Sequence, residues 1–192
     1  MEEDGSEQTN ISNEEDWLDA LDFVTEGQIG QAVASITLAN GLGAYEGTTD
    51  ATIDAWAPAV NLGNEHSIKV RHAAVWNGLI RFDLSNLPAN VNITSAALSF
   101  YVLDRTNASP LEVGLYKLNR GWSEDAATYN LAAAGVPWTV PGAGSDADPD
   151  PAAVATFSGV NQTVTFDVTD LVKSWYASPS SNKGALLFGQ QA

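Results

Sequence analysis

Trp76-Asn-Gly-Leu-Ile-Arg-Phe-Asp-Leu-Ser-Asn-Leu-Pro88 is the stretch of sequence from which the fold can be argued. It opens on the turn dipeptide Asn77-Gly78 and closes on the turn residues 85–88. Between the turns the side chains alternate, which is the pattern of a half-buried β-strand. One face carries Ile80, Phe82 and Leu84, and the other carries Leu79, Arg81 and Asp83.

The preceding segment, 66–72, alternates in the same way and predicts a β-hairpin with this strand. If the turn of this hairpin centres on Trp76, Arg71 lies opposite Arg81 and Lys69 lies opposite Asp83. Two facing arginines repel each other, so they need a carboxylate or an anionic ligand between them. Two interpretations stay open. Lys69, Arg71 and Arg81 form a patch that binds uronate carboxylates, or they form ion pairs on a solvated face.

Charge and composition exclude several classes of function. The net charge is −16, and residues 1–26 hold ten acidic residues and no basic one. Fourteen acidic and eight basic residues remain in 27–192, a net charge of −6. Binding to nucleic acid or to an anionic membrane surface needs a basic footprint that is missing here. The chain has no cysteine, which excludes disulfides and thiol catalysis.

The N-terminal region, 1–31, is predicted to be an acidic arm that is separate from a domain over 32–192. Ser12-Asn-Glu-Glu15 has the form of a capping box. Apolar residues follow at helical spacing, so a short amphipathic helix is expected at about 13–25. No apolar run is long enough to insert into a membrane, and Met1-Glu-Glu-Asp4 does not resemble a signal peptide.

From Ala32 onward the period is two. Further strands are predicted at 51–56, 93–103, 111–118, 163–168 and 184–188, with a long irregular stretch at 119–152. Apolar residues at helical spacing between 168 and 175 indicate one short helix near the C-terminus. Many strands with Gly and Pro turns predict an all-β, antiparallel β-sandwich.

Several short motifs follow one another in a characteristic order and spacing. They are Asp50-Ala-Thr-Ile53, Asn61-Leu-Gly63, Gly78-Leu-Ile-Arg-Phe-Asp-Leu-Ser85, Ile93-Thr-Ser-Ala-Ala-Leu98, Gly121-Trp-Ser-Glu-Asp-Ala-Ala-Thr-Tyr-Asn130, Phe166-Asp-Val-Thr-Asp-Leu-Val-Lys-Ser-Trp175 and Asn182-Lys-Gly184. Together they resemble the DNRLRE-type domain over roughly residues 36–190. The resemblance implies a jelly-roll β-sandwich of secreted and cell-surface proteins. Some relatives are carbohydrate-binding modules attached to polysaccharide lyases, with alginate as a known ligand class, and others are building blocks of large surface proteins.

The chain departs from this family pattern at both ends. Such domains usually continue beyond the strand at 182–184 to one more strand, and the arm has no counterpart in them. A sandwich that lacks a strand has an open edge, which strand addition can close. The segment 29–38 is a candidate for that strand, in cis or in trans. A homo-oligomer or filament joined through residues 1–38 is therefore one expected partner arrangement.

Two other groups of residues are candidates for a binding site. Trp56, Trp122 and Trp138 fall in or next to loops, where exposed rings stack on sugars and buried rings pack. Asp146, Asp148 and Asp150 alternate, and Glu46, Asp50 and Asp54 cluster in sequence. Either set of carboxylates is a candidate site for structural calcium, and the alternative is an acidic solvated loop.

Nothing in the sequence singles out a catalytic centre. It contains no G-x-S-x-G, phosphate-cradling loop or H-E-x-x-H motif. The favoured function is a non-catalytic module, extracellular or on a cell surface, that binds polysaccharide, with uronate units as candidate ligands. The alternative is a structural subunit of an extracellular assembly, such as a filament, a matrix or a virion surface.

Overall fold

The computed structural model describes residues 8–12, 19–26 and 34–190. These residues form two packed layers of antiparallel strands and one α-helix near the C-terminus, which confirms the predicted antiparallel β-sandwich. The elements are β1 (Gln8–Ser12), β2 (Asp19–Glu26), β3 (Ala34–Leu38), β4 (Thr48–Asp54), β5 (Ser67–Arg71), β6 (Trp76–Phe82), β7 (Asn92–Arg105), β8 (Leu111–Lys117), β9 (Leu131–Ala133), β10 (Val136–Pro137), β11 (Ala153–Phe157), β12 (Gln162–Asp167), α1 (Thr169–Ala177) and β13 (Ala185–Gln190).

Each layer is built around one strand. In the first layer the order is β11-β8-β13-β6-β4, with β6 paired on both sides. In the second layer β12 pairs with one edge of β7, while β1 and β2 pair with its other edge. β5 and β3 lie outside β1 and β2, respectively. Between β5 and β6 the ladder has one pair, Arg71 with Trp76, and this pair links the two layers.

The main core lies between the two layers. Alternate side chains of β6 point into it, and Ile80 and Phe82 are almost completely buried. The second layer contributes Phe100 and Phe166, whose rings pack edge to face with centroids 6.0 Å apart. The sequence pattern dictates this arrangement, because a period of two sends one face of each strand inward.

A second, smaller core covers the outer face of the first layer. Ala51, Ile53, Leu79 and Leu186 form the sheet side of this core. The segment 118–143 folds over them and inserts two buried indoles, Trp122 and Trp138. Strand β6 is consequently buried on both faces, which the sequence pattern of a half-buried strand did not indicate.

The predicted N-terminal helix at about 13–25 is wrong over residues 19–25, which lie in β2. The first part of that prediction, residues 13–18, lies outside the described residues. β2 pairs with β7 on one side and with β3 on the other. Short segments take the conformation that satisfies their backbone groups, and here two neighbouring strand edges supply partners that the local helical spacing could not reveal.

The long stretch predicted as irregular contains elements that the sequence did not reveal. Two short strands, β9 with three residues and β10 with two, pair with each other. β11 lies just beyond the stretch and pairs with β8. The predicted C-terminal helix is confirmed as α1. At nine residues it is too short to cross a bilayer, and no other helix in the described part of the chain is long and apolar enough to do so.

Gly184 offers a test of how tightly β13 approaches β6. Its φ is +80°, and a Cβ atom there would lie 2.4 Å from the carbonyl oxygen of Ile80. Gly135 has a φ of +70°, and a Cβ atom added there would have no neighbour within 4 Å. We expect Gly135→Ala to lower the free energy of unfolding by about 1–2 kcal/mol through backbone strain alone. Gly184→Ala should cost about 1–3 kcal/mol more, because it also overpacks.

Urea denaturation of both variants and the wild type measures this difference. Equal losses of stability for the two variants would contradict the close approach of the two strands.

Candidate functional site

The predicted facing pair of Arg71 and Arg81 is wrong. The turn at 72–75 joins β5 to β6, but the two strands pair only next to this turn, where Arg71 lies opposite Trp76. Arg81 lies opposite Thr49 of β4, and β5 crosses to the other layer, where Lys69 lies opposite Asn10 of β1. The physical reason is that β5 buries Ile68 and Val70 between the layers, and its backbone pairs with β1 rather than continuing along β6.

Trp56, Arg71 and Trp76 form a compact group at the corner where β5 and β6 meet, here called the tryptophan–arginine stack. The guanidinium carbon of Arg71 lies 4.5 Å from the ring centroid of Trp56 and 5.7 Å from that of Trp76. The two rings meet edge to face, with centroids 5.4 Å apart. Arg71 is 8% exposed, so its cation–π contacts form in a largely desolvated setting where they are strongest.

Trp56 is held in place although its ring faces solvent. The backbone N–H of Trp56 donates to the carboxylate of Asp54 over 2.7 Å. The N–H of the preceding residue, Ala55, donates to the carbonyl oxygen of Val75 over 2.9 Å. Among the tryptophans of residues 34–190, Trp56 alone is largely exposed, with 62% of its surface accessible. The stack therefore presents one oriented indole to solvent.

Trp122 and Trp138 are not available as stacking platforms, contrary to one of the interpretations of the sequence. They are 5% and 3% exposed and belong to the second core. The indole N–H of Trp122 donates to the carbonyl oxygen of Lys183, and that of Trp138 donates to Thr128, each over 2.9 Å. A buried indole whose N–H has a hydrogen-bond partner has a packing role. Both rings hold the segment 118–143 on the sheet.

Arg81 is likewise occupied by an aromatic ring. Its guanidinium carbon lies 5.5 Å from the centroid of Trp122 on the outer face of the first layer. Of the three predicted cationic site residues, Arg71 alone belongs to the stack. Lys69 is half-buried and lies two residues from Arg71, on the same side of β5.

Several motif residues have structural roles that the sequence alone did not reveal. The side-chain amide of Asn61 donates to the carbonyl oxygens of Glu124 and Ala127 over 2.6 and 2.8 Å. At Gly63 a Cβ atom would lie 2.3 Å from the carbonyl oxygen of Glu124. The side-chain amide of Asn182 donates to Phe82 over 2.9 Å. These contacts hold loops to one another and to β6, and none of them involves the stack.

Asp146, the first of the predicted calcium ligands, has both carboxylate oxygens engaged by protein donors. One oxygen accepts from the Arg120 guanidinium over 2.8 Å and from the Thr139 hydroxyl over 2.7 Å. The other accepts from the backbone N–H of Thr139 over 2.7 Å. Asp148 accepts from the side chain of Asn119 over 2.7 Å, and Asp150 is exposed.

The second predicted calcium set is spread over the loop before β4 and along β4 itself. Glu46 is exposed in the loop before β4, whereas Asp50 and Asp54 lie four residues apart within it. Four residues of a strand span about 13 Å, too far for the two carboxylates to share an ion. Across residues 34–190 no group of three acidic or histidine side chains has the geometry to hold a metal ion.

The structure also shows two features that sequence reasoning missed. Trp76 completes the stack, although its position at the start of the central strand marked only a turn. A shallow cleft of about 620 Å³ lies where α1 begins, between the starts of β7 and β11. Half of its lining residues are polar, among them Thr94, Asp167 and Asp170. No sequence motif pointed to this cleft, because its walls come from three separate segments.

The family model of carbohydrate-binding module family 96 matches residues 44–192. The chain belongs to this family. The match spans the whole tryptophan–arginine stack and leaves out β1, β2 and β3. Neither the curated proteins nor the solved structures include a significant match to this chain.

Membership of carbohydrate-binding module family 96 confirms the coarser part of what the sequence predicted. The chain is a carbohydrate-binding module, and a polysaccharide is the class of partner that follows. The DNRLRE-type label stays a prediction, as do a uronate ligand, a calcium ion and an oligomer.

The ion pair of Asp146 generates a prediction about pH. Burial alone would raise the pKa of Asp146, but the hydrogen bonds from Arg120 and Thr139 outweigh it and hold the pKa below its ordinary value of 3.8. A lowered pKa stabilises the fold above pH 3.8, and this contribution is lost as the pH falls through the folded-state pKa. Asp146→Asn should lower stability at pH 7 by about 1–3 kcal/mol, and the difference from wild type should shrink below pH 3.8.

Urea denaturation at a series of pH values between 7 and 2 measures this convergence. Asp148→Asn is the matched control, because it alters a neighbouring carboxylate of the same loop and leaves the Arg120 pair intact. A constant difference between Asp146→Asn and wild type at all pH values would contradict the assigned role.

Proposed function

We propose that the chain is a non-catalytic module that holds a polysaccharide by stacking a sugar ring on the exposed indole of Trp56. The observation that carries the proposal is the exposure of this ring, 62%, in a module whose other loop tryptophans are buried. An oriented indole presents a flat apolar face and is a ready partner for the apolar face of a sugar.

The rigidity of the stack supports the same proposal. Arg71 lies against the Trp56 ring and Trp76 meets it edge to face. The ring therefore has little freedom to lose when a ligand arrives. Preorganised groups bind more tightly because the entropy of ordering them has already been lost in folding.

We further propose that uronate-containing chains are bound in preference to neutral ones. Arg71 places a cation at the stack, and Lys69 lies on the same side of β5. A carboxylate on a stacked sugar would lie in the field of the buried Arg71 and could accept a charged hydrogen bond from Lys69, and such bonds are about twice as strong as neutral ones. Arg81 is left out of this proposal because it lies over Trp122. The net charge of −16 opposes binding of any polyanion at long range.

The proposed place of action is outside the cell or on a cell surface. Structural polysaccharides are found there, and a carbohydrate-binding module is useful where its ligand is. Catalysis is not part of the proposal, because the stack contains no carboxylate pair of the kind that glycoside hydrolysis requires. Incubation with acidic and neutral polysaccharides should release no new chain ends, and release of new ends would refute the non-catalytic role.

Substitution of Trp56 tests the site. We expect Trp56→Ala to weaken binding to a retained polysaccharide at least about tenfold, which corresponds to roughly 1.4 kcal/mol. Trp56→Phe should retain part of the affinity because it keeps a smaller ring. Affinity gel electrophoresis on a panel of neutral and uronate-containing polysaccharides identifies the ligand, and isothermal titration with its oligosaccharides measures the change.

Two control variants make the result decisive. Val160→Ala shortens another exposed apolar side chain, in the loop between β11 and β12, and should leave binding unchanged. Asp170→Asn alters the cleft at the start of α1. Full binding by Trp56→Ala together with a loss in Asp170→Asn would move the site to that cleft and refute the proposal.

The uronate preference is tested separately with Lys69→Gln. Its affinity for a uronate chain should fall several-fold, while its affinity for a neutral chain should be unchanged. An equal change for both ligands would refute the preference and leave the stacking proposal intact.

A further inference from the structure

The second layer of the sandwich depends on a strand from the N-terminal arm. β5 and β7 do not pair with each other, and β1 lies between them. β1 makes five register pairs with β5, from Gln8 opposite Arg71 to Ser12 opposite Ser67. It makes three register pairs with β7, from Thr9 opposite Arg105 to Ile11 opposite Val102. β1 thus fills a slot whose two walls are the edges of β5 and β7.

The slot belongs to the family module, but the strand that fills it does not. The family match begins at residue 44, so both walls lie inside the matched region and β1 lies outside it. Without β1, the ladder contacts of β5 would reduce to the single pair of Arg71 with Trp76. Unpaired strand edges of this kind are sites at which another strand adds.

The walls of the slot are also part of the main core. Ile68 and Val70 of β5 and Val102 of β7 are completely buried. A slot between such residues has to be filled for the sandwich to exclude water, because burial of apolar surface is the dominant favourable term in folding. The strand that fills it contributes to stability as well as to hydrogen bonding.

We propose that β1 is an exchangeable strand and that its partner surface is the slot of a second copy of this chain. Every copy carries the same strand and the same slot, so the pairs made in trans are identical to those made in cis. The free energies of the closed single chain and of the exchanged pair then differ only because, in the single chain, β1 is linked covalently to its slot. This link acts as an effective concentration of the strand. Exchange becomes favourable as the protein concentration approaches that value, and two copies can each fill the slot of the other.

This exchange also reaches the tryptophan–arginine stack. Gln8, the first residue of β1, lies opposite Arg71, whose guanidinium lies on Trp56. In an exchanged pair the strand of the second copy would therefore end beside the stack of the first. The partner copy would in this way contribute backbone to the edge of the proposed sugar site.

Engineered disulfides test the exchange, and the chain suits them because it contains no cysteine of its own. Ser12 and Ser67 face each other across β1 and β5, and facing residues of antiparallel strands lie within disulfide range. Ser12→Cys and Ser67→Cys are prepared as separate full-length variants. They are mixed at increasing concentration, kept reduced while strands exchange, and then oxidised.

We expect a covalent dimer whose yield rises with protein concentration and whose disulfide joins the two substituted positions, as mapped by mass spectrometry of peptides. The matched control mixes Ser12→Cys with Ser158→Cys, since Ser158 is exposed in the loop between β11 and β12. The slot pair should give several-fold more dimer than this control. Equal yields for both mixtures would overturn the proposal.

The double variant Ser12→Cys plus Ser67→Cys gives an independent readout. Oxidised in dilute solution, it should form the internal disulfide and stay at one chain mass in light scattering at all concentrations. The wild type should show a dimer fraction that grows with concentration. Identical masses for the two proteins throughout would overturn the exchange. Trp56→Ala should leave cross-linking unchanged, so failure of the sugar site and failure of the exchange are separate results.

Discussion

The burial of β6 on both of its faces is the constraint on which the rest of the structure depends. Its inward side chains, Ile80 and Phe82, lie in the core between the layers, and Leu79 faces outward under the second core. A strand that is apolar on both faces must be covered twice. The segment 118–143 supplies the second cover, and Trp122 and Trp138 are buried for that reason. Trp56 lies beyond this cover and stays exposed.

The covering segment contains little regular structure, so its polar groups have to be satisfied in other ways. Buried backbone groups that lack a ladder partner need side chains or turns to replace it. Asn61 and Asn77 supply such contacts, each through a side-chain amide that donates to a backbone carbonyl oxygen. Asp146 gathers Arg120 and Thr139 at the far end of the segment. The long loop is therefore built as an ordered layer.

The departure of β5 from β6 determines where two of the few basic side chains lie. Because β5 crosses to the other layer, Arg71 is separated from Arg81, and each guanidinium lies over an indole instead. An arginine over an aromatic ring is attracted by the ring quadrupole and shields one face of it from water. The same crossing opens the slot that β1 fills. The proposed sugar site and the proposed strand exchange thus share one structural origin.

The sequence by itself determined the antiparallel sandwich, most of its strands and the C-terminal helix, because periods of two and of 3.6 are local properties of the chain. It also led to the right class of ligand through motifs that turn out to hold loops against the sheet. Local patterns could not distinguish an exposed indole from a buried one, nor a hairpin that continues from one that splits. They also favoured a helix at about 13–25, and the described part of that segment, 19–25, lies in β2. Those outcomes were decided by the tertiary structure, because they depend on which distant segment covers a face or pairs with an edge.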